Sequence, residues 1–219
     1  MNFLKKFIPN IHKDGYVFVC IFVIISSILG MIWAPLSWFC AILTLWCVYF
    51  FRDPERIVPI GENLILSPAD GVVQKIEQVQ IPAELHMGSG QRTRISIFLN
   101  IFNVHVNRVP STGQITKLFY HHGKFFNASL DKASVHNERQ LVVMKLSNGQ
   151  EIIFVQIAGL IARRIVCDLS EGQHVIAGDR FGIIRFGSRM DIYLPEGIKP
   201  RILEGQSTVG GETILAHID

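Results

Sequence analysis

Residues 185–191 read Arg-Phe-Gly-Ser-Arg-Met-Asp and set a Gly187-Ser188 pair between two runs of strand character, FGIIRF and MDIYLP. A serine that follows glycine can do more than turn the chain. Its hydroxyl can attack the preceding carbonyl and convert the peptide to an ester, provided the backbone is held in a strained bend and a base takes the proton. Glycine leaves that carbonyl sterically open and tolerates unusual φ and ψ. Removal of the serine α-proton then breaks the ester by elimination. The dehydroalanine left at the new N-terminus hydrolyses to a pyruvoyl group, losing ammonia. A pyruvoyl carbonyl takes an amine as a Schiff base and accepts the electrons left when carbon dioxide departs, which is what a decarboxylase needs. Taken alone, Gly-Ser is also among the commonest turn pairs, and Gly88-Ser89 reads as only that.

Such chemistry needs a base and an anchor for its substrate. His105, in NVHVNRVP, sits in an alternating strand pattern, where a histidine must find a buried polar partner or face a cleft. Asp70, in SPADG, reads either as a turn aspartate or as a carboxylate that fixes a histidine tautomer and stabilises its imidazolium. Arg108 stays protonated near neutral pH and makes a poor base, but it suits a bidentate grip on a phosphate. Lys124, Arg139 and Arg189 are further candidates for an anionic group; the alternative for each is a basic surface facing anionic lipid. His121 and His122 are adjacent and so point to opposite faces of a strand, and His105-Val106-Asn107 lacks the second histidine of an H-x-H pair. No metal site is expected.

The elements that must position these residues fall into two parts. Residues 15–51 contain no Asp, Glu, Lys or Arg and are too long a run for one buried core helix. At about 1.5 Å per residue a helical path suffices for two crossings of a roughly 30 Å hydrocarbon layer, with a turn near Trp33-Ala34-Pro35. Lys5, Lys6 and Lys13 precede the run while Arg52 and Arg56 follow it, and the positive-inside bias places both flanks on the cytoplasmic side of the membrane. A single span, a re-entrant wedge and a cleaved signal peptide are the alternatives; the apolar run far exceeds a signal's usual core. Three of the four cysteines, Cys20, Cys40 and Cys47, lie in this run and only Cys167 outside it, so there is neither a disulfide framework nor a metal spacing. A net charge of +3 without any basic run gives no reason to expect nucleic acid.

From residue 53 to 219 the chain changes to short β-rich runs broken by Gly, Pro and Asn. Their length and spacing predict a mostly β domain, an antiparallel sandwich or barrel, with one short helix in NASLDKASVHNE. Asn148-Gly149 predicts a two-residue hairpin. EGQHVIAGDRFG (171–182) and EGQSTVGGETIL (204–215) match at an offset of 33 residues and bracket the Gly187-Ser188 pair. These units are similar to the barrel-sandwich folds of lipoyl and biotinyl carriers, but neither copy offers the lysine that such carriers need at a hairpin tip.

FFRDPER, SPADG, NVHVNRVP, YHHGKFFNASLDKASVHNER, RFGSRMDIYLP and GQSTVGGETILA occur in that order from about residue 50 to the C-terminus. Together they resemble the phosphatidylserine decarboxylases of the short bacterial type. The resemblance implies self-cleavage between Gly187 and Ser188, giving a β chain 1–187 and an α chain 188–219 that remain together as a heterodimer. It implies a pyruvoyl group derived from Ser188 as cofactor, and conversion of phosphatidylserine to phosphatidylethanolamine in phospholipid biosynthesis at a membrane. It gives Asp70 and His105 the roles of the cleavage triad beside Ser188. The family pattern carries two histidines three residues apart, and here the second position is Arg108. Either His105 serves both cleavage and protonation of the product carbon, or His121, His122 or water takes one of them. An ether-lipid substrate of the archaeal type is one alternative, and a membrane-anchored, lipoyl-like binding module without catalysis is another. Whether the heterodimer assembles further is left open.

Overall fold

A computed structural model describes residues 10–61, 63–88, 90–129, 133–160, 164–185 and 187–218. Lys5, Lys6, Ser89 and Phe186 lie outside the described residues. The chain divides into two compact units, Met1–Glu55 and Arg56–Asp219.

In the first unit, β1 (Asn10–Ile11) pairs with β2 (Arg52–Asp53), and between them run α1 (Lys13–Gly30) and α2 (Ala34–Phe50). The His12 ring accepts the Asp14 amide and so opens α1, while Pro35 starts α2 where its missing N–H costs nothing. The helices form a hairpin with reciprocal bonds, Ser26 Oγ to the Ser37 carbonyl at 3.1 Å and Ser37 Oγ to the Ser26 carbonyl at 3.0 Å. Gly30 lets them close, since a Cβ there would lie 2.9 Å from Ser37 Oγ. Val17, Ile24, Ile28, Trp38, Ile42 and Leu45 remain exposed. α1 is long and apolar enough to cross a membrane, and α2 is a shorter apolar helix.

The second unit is mostly β, a curled antiparallel half-barrel, as the run lengths predict. Its strands are β3 (Leu64–Leu66), β4 (Gly71–Gln80), β5 (Gln91–Leu99), β6 (Val106–Arg108), β7 (Gly113–His121), β8 (Arg139–Leu146) and β9 (Glu151–Ala158). Then follow β10 (Ile165–Cys167), β11 (His174–Val175), β12 (Arg180–Ile184), β13 (Ser188–Tyr193), β14 (Ser207–Thr208) and β15 (Ile214–His217). The short helix α3 (Ala133–His136) falls within NASLDKASVHNE. The large sheet has the order β11-β7-β8-β9-β13-β5-β4-β14; β10-β12-β6 and β15-β3 form two smaller sheets. The central strands are apolar on both faces, which explains unbroken runs such as EIIFVQIA. Phe154, Ala158, Met190 and Ile192 pack into the larger core with Ile97 and Leu99. Ile153, Val155, Ile157 and Tyr193 pack on the other face with Ile81 and Leu85.

The repeat visible in the sequence is half of a larger one. PADGVVQKI (68–76) and PSTGQITKL (110–118) match at an offset of 42 residues, and each carries a β-bulge at the same place, Val73/Lys75 and Ile115/Lys117. Their bonds to the EGQ segments correspond one for one. Glu204 Oε1 accepts the Ile76 amide at 2.7 Å, as Glu171 Oε1 accepts the Leu118 amide at 2.8 Å. Gly205 N–H donates to the Val73 carbonyl and Gly172 N–H to the Ile115 carbonyl, each at 2.8 Å. The copies also clasp each other, the Leu66 amide donating to the Pro110 carbonyl and the Arg108 amide to the Pro68 carbonyl. With β9 beside β13 at the centre, the large sheet is a pseudo-twofold assembly of one copy (β14, β4, β5, β13) and the other (β11, β7, β8, β9).

The hairpin between β8 and β9 differs from the two-residue expectation. The Leu146 amide donates to the Gln150 carbonyl and Gly149 N–H to the Leu146 carbonyl, leaving a three-residue loop, Ser147-Asn148-Gly149, with Gly149 at φ 85°. Asn148 Oδ1 accepts the Gln150 amide instead of opening a two-residue turn.

Candidate active site

Ser188 begins β13, between β5 and β9, opposite Leu99 on one side and Ala158 on the other. Its side chain is fully buried, and its Oγ has no hydrogen-bond partner among the described residues. Gly187 precedes it at φ 65°, in the left-handed region that glycine adopts without strain and other residues rarely do. The bend is pressed against the end of β9. A Cβ at Gly159 would fall 2.0 Å from the Gly187 carbonyl oxygen, so only glycine at 159 permits this approach. The loop before α3 is fastened to the same place, since Asn137 Nδ2 donates to the Ala158 carbonyl at 2.7 Å and to the Phe126 carbonyl at 2.8 Å.

The sheet register brings the other expected residues to this end. Val72 pairs with Phe98, which sets Gly71 and Asp70 at the end of the sheet where β5 finishes beside Ser188. The chain then loops from Leu99 to His105, and the Arg108–Pro68 backbone bond lays the His105 segment alongside the Asp70 segment. His105 is fully buried, with Nδ1 3.0 Å from the Asn103 carbonyl. A carbonyl only accepts, so Nδ1 carries the proton and Nε2 is the basic nitrogen. The Asp70 carboxylate accepts from Arg56 at 2.9 and 2.8 Å and from the Gly210 amide at 2.8 Å. Asp70 and His105 thus share one end of the barrel without a hydrogen bond between them among the described residues.

The four candidate phosphate ligands separate. Arg189 lies on the opposite face of β13 from Ser188 and is buried against Asp191, Nε to Oδ1 at 2.8 Å and Nη2 to Oδ2 at 3.0 Å; the Nε contact is misaligned for a hydrogen bond. Its Nη1 donates to the Ala128 carbonyl at 3.2 Å, and Arg94 joins the same carboxylate at 3.7 Å. Burial, then the Asp191 charge, pushes the neighbouring Tyr193 phenol up to about 12. Arg139 is buried and bonds Glu84 and the Val135 carbonyl. Arg108 is buried, donating to the Gly178 carbonyl at 2.8 Å. Lys124 is exposed, its ammonium 5.9 Å from the Phe126 ring centre, on the loop fastened to Ala158. His121 stands 3.7 Å from Glu84, and its pKa is lowered by burial and then by the Arg139 charge.

A model of the family described as phosphatidylserine decarboxylase matches residues 43–216. The chain belongs to the phosphatidylserine decarboxylase family. It is 58% identical to the phosphatidylserine decarboxylase proenzyme of Rickettsia bellii (strain OSU 85-389), an alignment covering 94% of this chain and 89% of that one. The proenzymes of Rickettsia rickettsii (strain Sheila Smith) and Rickettsia akari (strain Hartford) are 55% and 56% identical over the same shares. The chain is accordingly a member of a decarboxylase enzyme family, and these relatives are named as proenzymes.

A serine-derived pyruvoyl group fits the residues present. The parent hydroxyl is buried with no competing partner among the described residues, and the preceding carbonyl sits in a glycine bend. Sequence reasoning missed four residues at this end: Arg56, Asn107, Gln156 and Gly159. Arg56 was hidden among the charges that flank the apolar run. Gln156 did leave a signal, as the lone polar residue between apolar neighbours in EIIFVQIA. A cavity of about 880 Å³ lies instead at the far end of the sheet, against Thr112, Leu146, Ser147 and Ala177, and its lining includes none of Asp70, His105, Gly187 and Ser188.

Proposed function

We propose that the chain cuts itself between Gly187 and Ser188 and then decarboxylates phosphatidylserine through a pyruvoyl group made from Ser188. The observation that carries this reading is the buried Ser188 hydroxyl, without a partner among the described residues, behind a left-handed glycine whose carbonyl rests on Gly159. His105, held as the Nδ1–H tautomer by the Asn103 carbonyl, takes the hydroxyl proton at Nε2 as Ser188 Oγ attacks the Gly187 carbonyl. Asp70 supplies the negative charge at this end of the barrel that favours the imidazolium so formed. The Gly187 C–Ser188 N bond breaks as the ester forms, and the freed amine takes the proton back from His105. Loss of the Ser188 Cα proton then expels the Gly187 carboxylate, which frees residues 1–187 from residues 188–219. Water replaces the dehydroalanine nitrogen, released as ammonia. The new chain end stays in place because β13 remains paired on both sides and Arg189 remains tied to Asp191 and Ala128. The pyruvoyl group supplies the carbonyl that takes the headgroup amine and the sink for the electrons released with carbon dioxide. His105 then returns a proton to the product carbon, and Lys124 holds the lipid phosphate. The apolar helices of the first unit keep the reaction at a bacterial inner membrane, on its cytoplasmic face.

Intact-mass measurement of purified protein tests this. The expected result is two chains that divide after Gly187, with residues 188–219 carrying an N-terminal pyruvoyl. An uncut 24.7 kDa chain that still decarboxylates phosphatidylserine would falsify the mechanism. Ser188→Ala should yield the uncut chain and no carbon dioxide release.

A further inference from the structure

Gln156 faces the same interior as Ser188. β13 pairs Met190 with Gln156 and Ser188 with Ala158, so Gln156 is the diagonal neighbour of Ser188 on one face, a relation that spans roughly 7–8 Å. Its Nε2 donates to Asn107 Oδ1 at 2.9 Å and to the Val166 carbonyl at 3.2 Å. The Val166 carbonyl can only accept, which fixes the orientation of the Gln156 amide. Nε2 in turn fixes Oδ1 as the Asn107 atom that meets it. Left over are one acceptor, Gln156 Oε1, and one donor, Asn107 Nδ2. Both belong to fully buried side chains, and neither has a protein partner among the described residues. A buried donor or acceptor left without a partner forfeits its hydration with nothing in return. Two together, one of each polarity and on the face of Ser188, call for a functional explanation.

We propose that Asn107 and Gln156 read the amino-acid part of the headgroup, Gln156 Oε1 accepting from the amine and Asn107 Nδ2 donating to a carboxylate oxygen. This rests on the reading of Ser188 as the source of the reacting carbonyl. An acceptor beside a donor complements an α-amino acid, which offers N–H groups and a carboxylate from one carbon. Neutrality of the donor matters as well. A guanidinium would grip the carboxylate most strongly in the ground state and oppose its departure as neutral carbon dioxide, whereas an amide orients it with a weaker hold.

The pair is separable by two unreactive or product-like probes, measured by binding to the purified, cut protein. One is short-chain phosphatidylethanolamine, with the amine and no carboxylate. The other is the matching lipid with a glycerate headgroup, with the carboxylate and a hydroxyl in place of the amine. Asn107→Asp keeps Oδ1 for Gln156 and replaces the donor by a second oxygen. It should weaken the glycerate lipid about ten-fold or more and leave the ethanolamine lipid within about two-fold. Asn107→Ala, which removes the donor altogether, gives the same discrimination if the aspartate variant does not fold. Equal losses for both lipids, or no loss for either, overturn the assignment. Wild-type protein that stays uncut would remove the reading of Ser188 itself, whereas a cut, active wild type with a non-discriminating variant removes only this inference.

Discussion

Asp70 and Thr112 hold the same position in the two copies of the repeated turn, and their side chains make the same bond. Asp70 Oδ1 accepts the Gly210 amide at 2.8 Å, and Thr112 Oγ1 accepts the Ala177 amide at 3.1 Å. Gly71 and Gly113 follow them, each pressed against a neighbouring strand carbonyl, of Phe98 and of Lys145. The correspondence extends across the sheet. Register carries Leu99 onto Leu146 and Ser188 onto Gln150, so Gly187 and Gly149 are counterparts, both at positive φ. At one end the glycine closes a plain hairpin; at the other it bends a buried Gly-Ser bond. A neutral hydroxyl is sufficient to build the turn, so the charge on Asp70, with Arg56 paired to it, is more than the fold requires. The protein contains its own control for what is structural and what is chemical.

The largest effect should come from removing that charge. Asp70→Asn keeps an oxygen for the Gly210 amide but leaves Arg56 without its anion, at a cost of about 1–3 kcal/mol because that side chain is mostly buried. Self-cleavage should fall by about a thousand-fold or more while the protein still melts cooperatively, as followed by gel and circular dichroism. A variant that cuts at the normal rate would mean that both turns are merely structural.

The glycine counterparts give the next contrast. Gly159→Ala drives a Cβ into the Gly187 carbonyl, so the bend must shift, and cleavage should slow by about ten- to a thousand-fold. Gly149→Ala meets open space but forces alanine to φ 85°. It should cost about 1–2 kcal/mol of stability and leave the cleavage rate alone. Smaller again is Thr112→Ala, which removes one turn hydrogen bond for about 1 kcal/mol with no change in cleavage. Time courses of chain scission beside melting curves distinguish all three. Slowed cleavage in Gly149→Ala would break the division between the two ends.

Much of this contrast was legible in the residues, and the illegible part has a physical pattern. Strand runs, the apolar helices, the short helix near Ala133 and the Gly187-Ser188 bend all follow from local composition and from backbone preferences that act within a few residues. The second half of the repeat was harder to see, because only Pro, Gly and Lys recur unchanged between PADGVVQKI and PSTGQITKL while the apolar positions exchange freely. The face on which a side chain lies relative to the Gly187-Ser188 bond depends on register. Arg189 adjoins Ser188 in sequence and for that reason points away from it, into the Asp191 pair. Arg56, Gln156 and Gly159 meet the site only through tertiary pairing, and no spacing rule connects them to Ser188.

The outer corners of the two copies supply the finest test. Arg92 lies across from Val79 in one, and Arg139 across from His121 in the other. Burial, and then the Arg139 charge, lowers the His121 pKa below its ordinary 6.5, against a weaker pull upward from Glu84. A histidine with a depressed folded pKa favours the folded state while it is neutral, so its contribution is present above about 6.5 and is lost as the pH falls through the folded value. The side chain is one-third exposed, and solvent screening keeps that contribution small. NMR titration should show a His121 midpoint below 6.5 that moves upward in Arg139→Gln, because the cation opposing protonation is gone. An unchanged midpoint in that variant would mean that burial alone sets it, and that Arg139 serves only to hold Glu84, much as Arg92 holds the Glu151 carbonyl in the other copy.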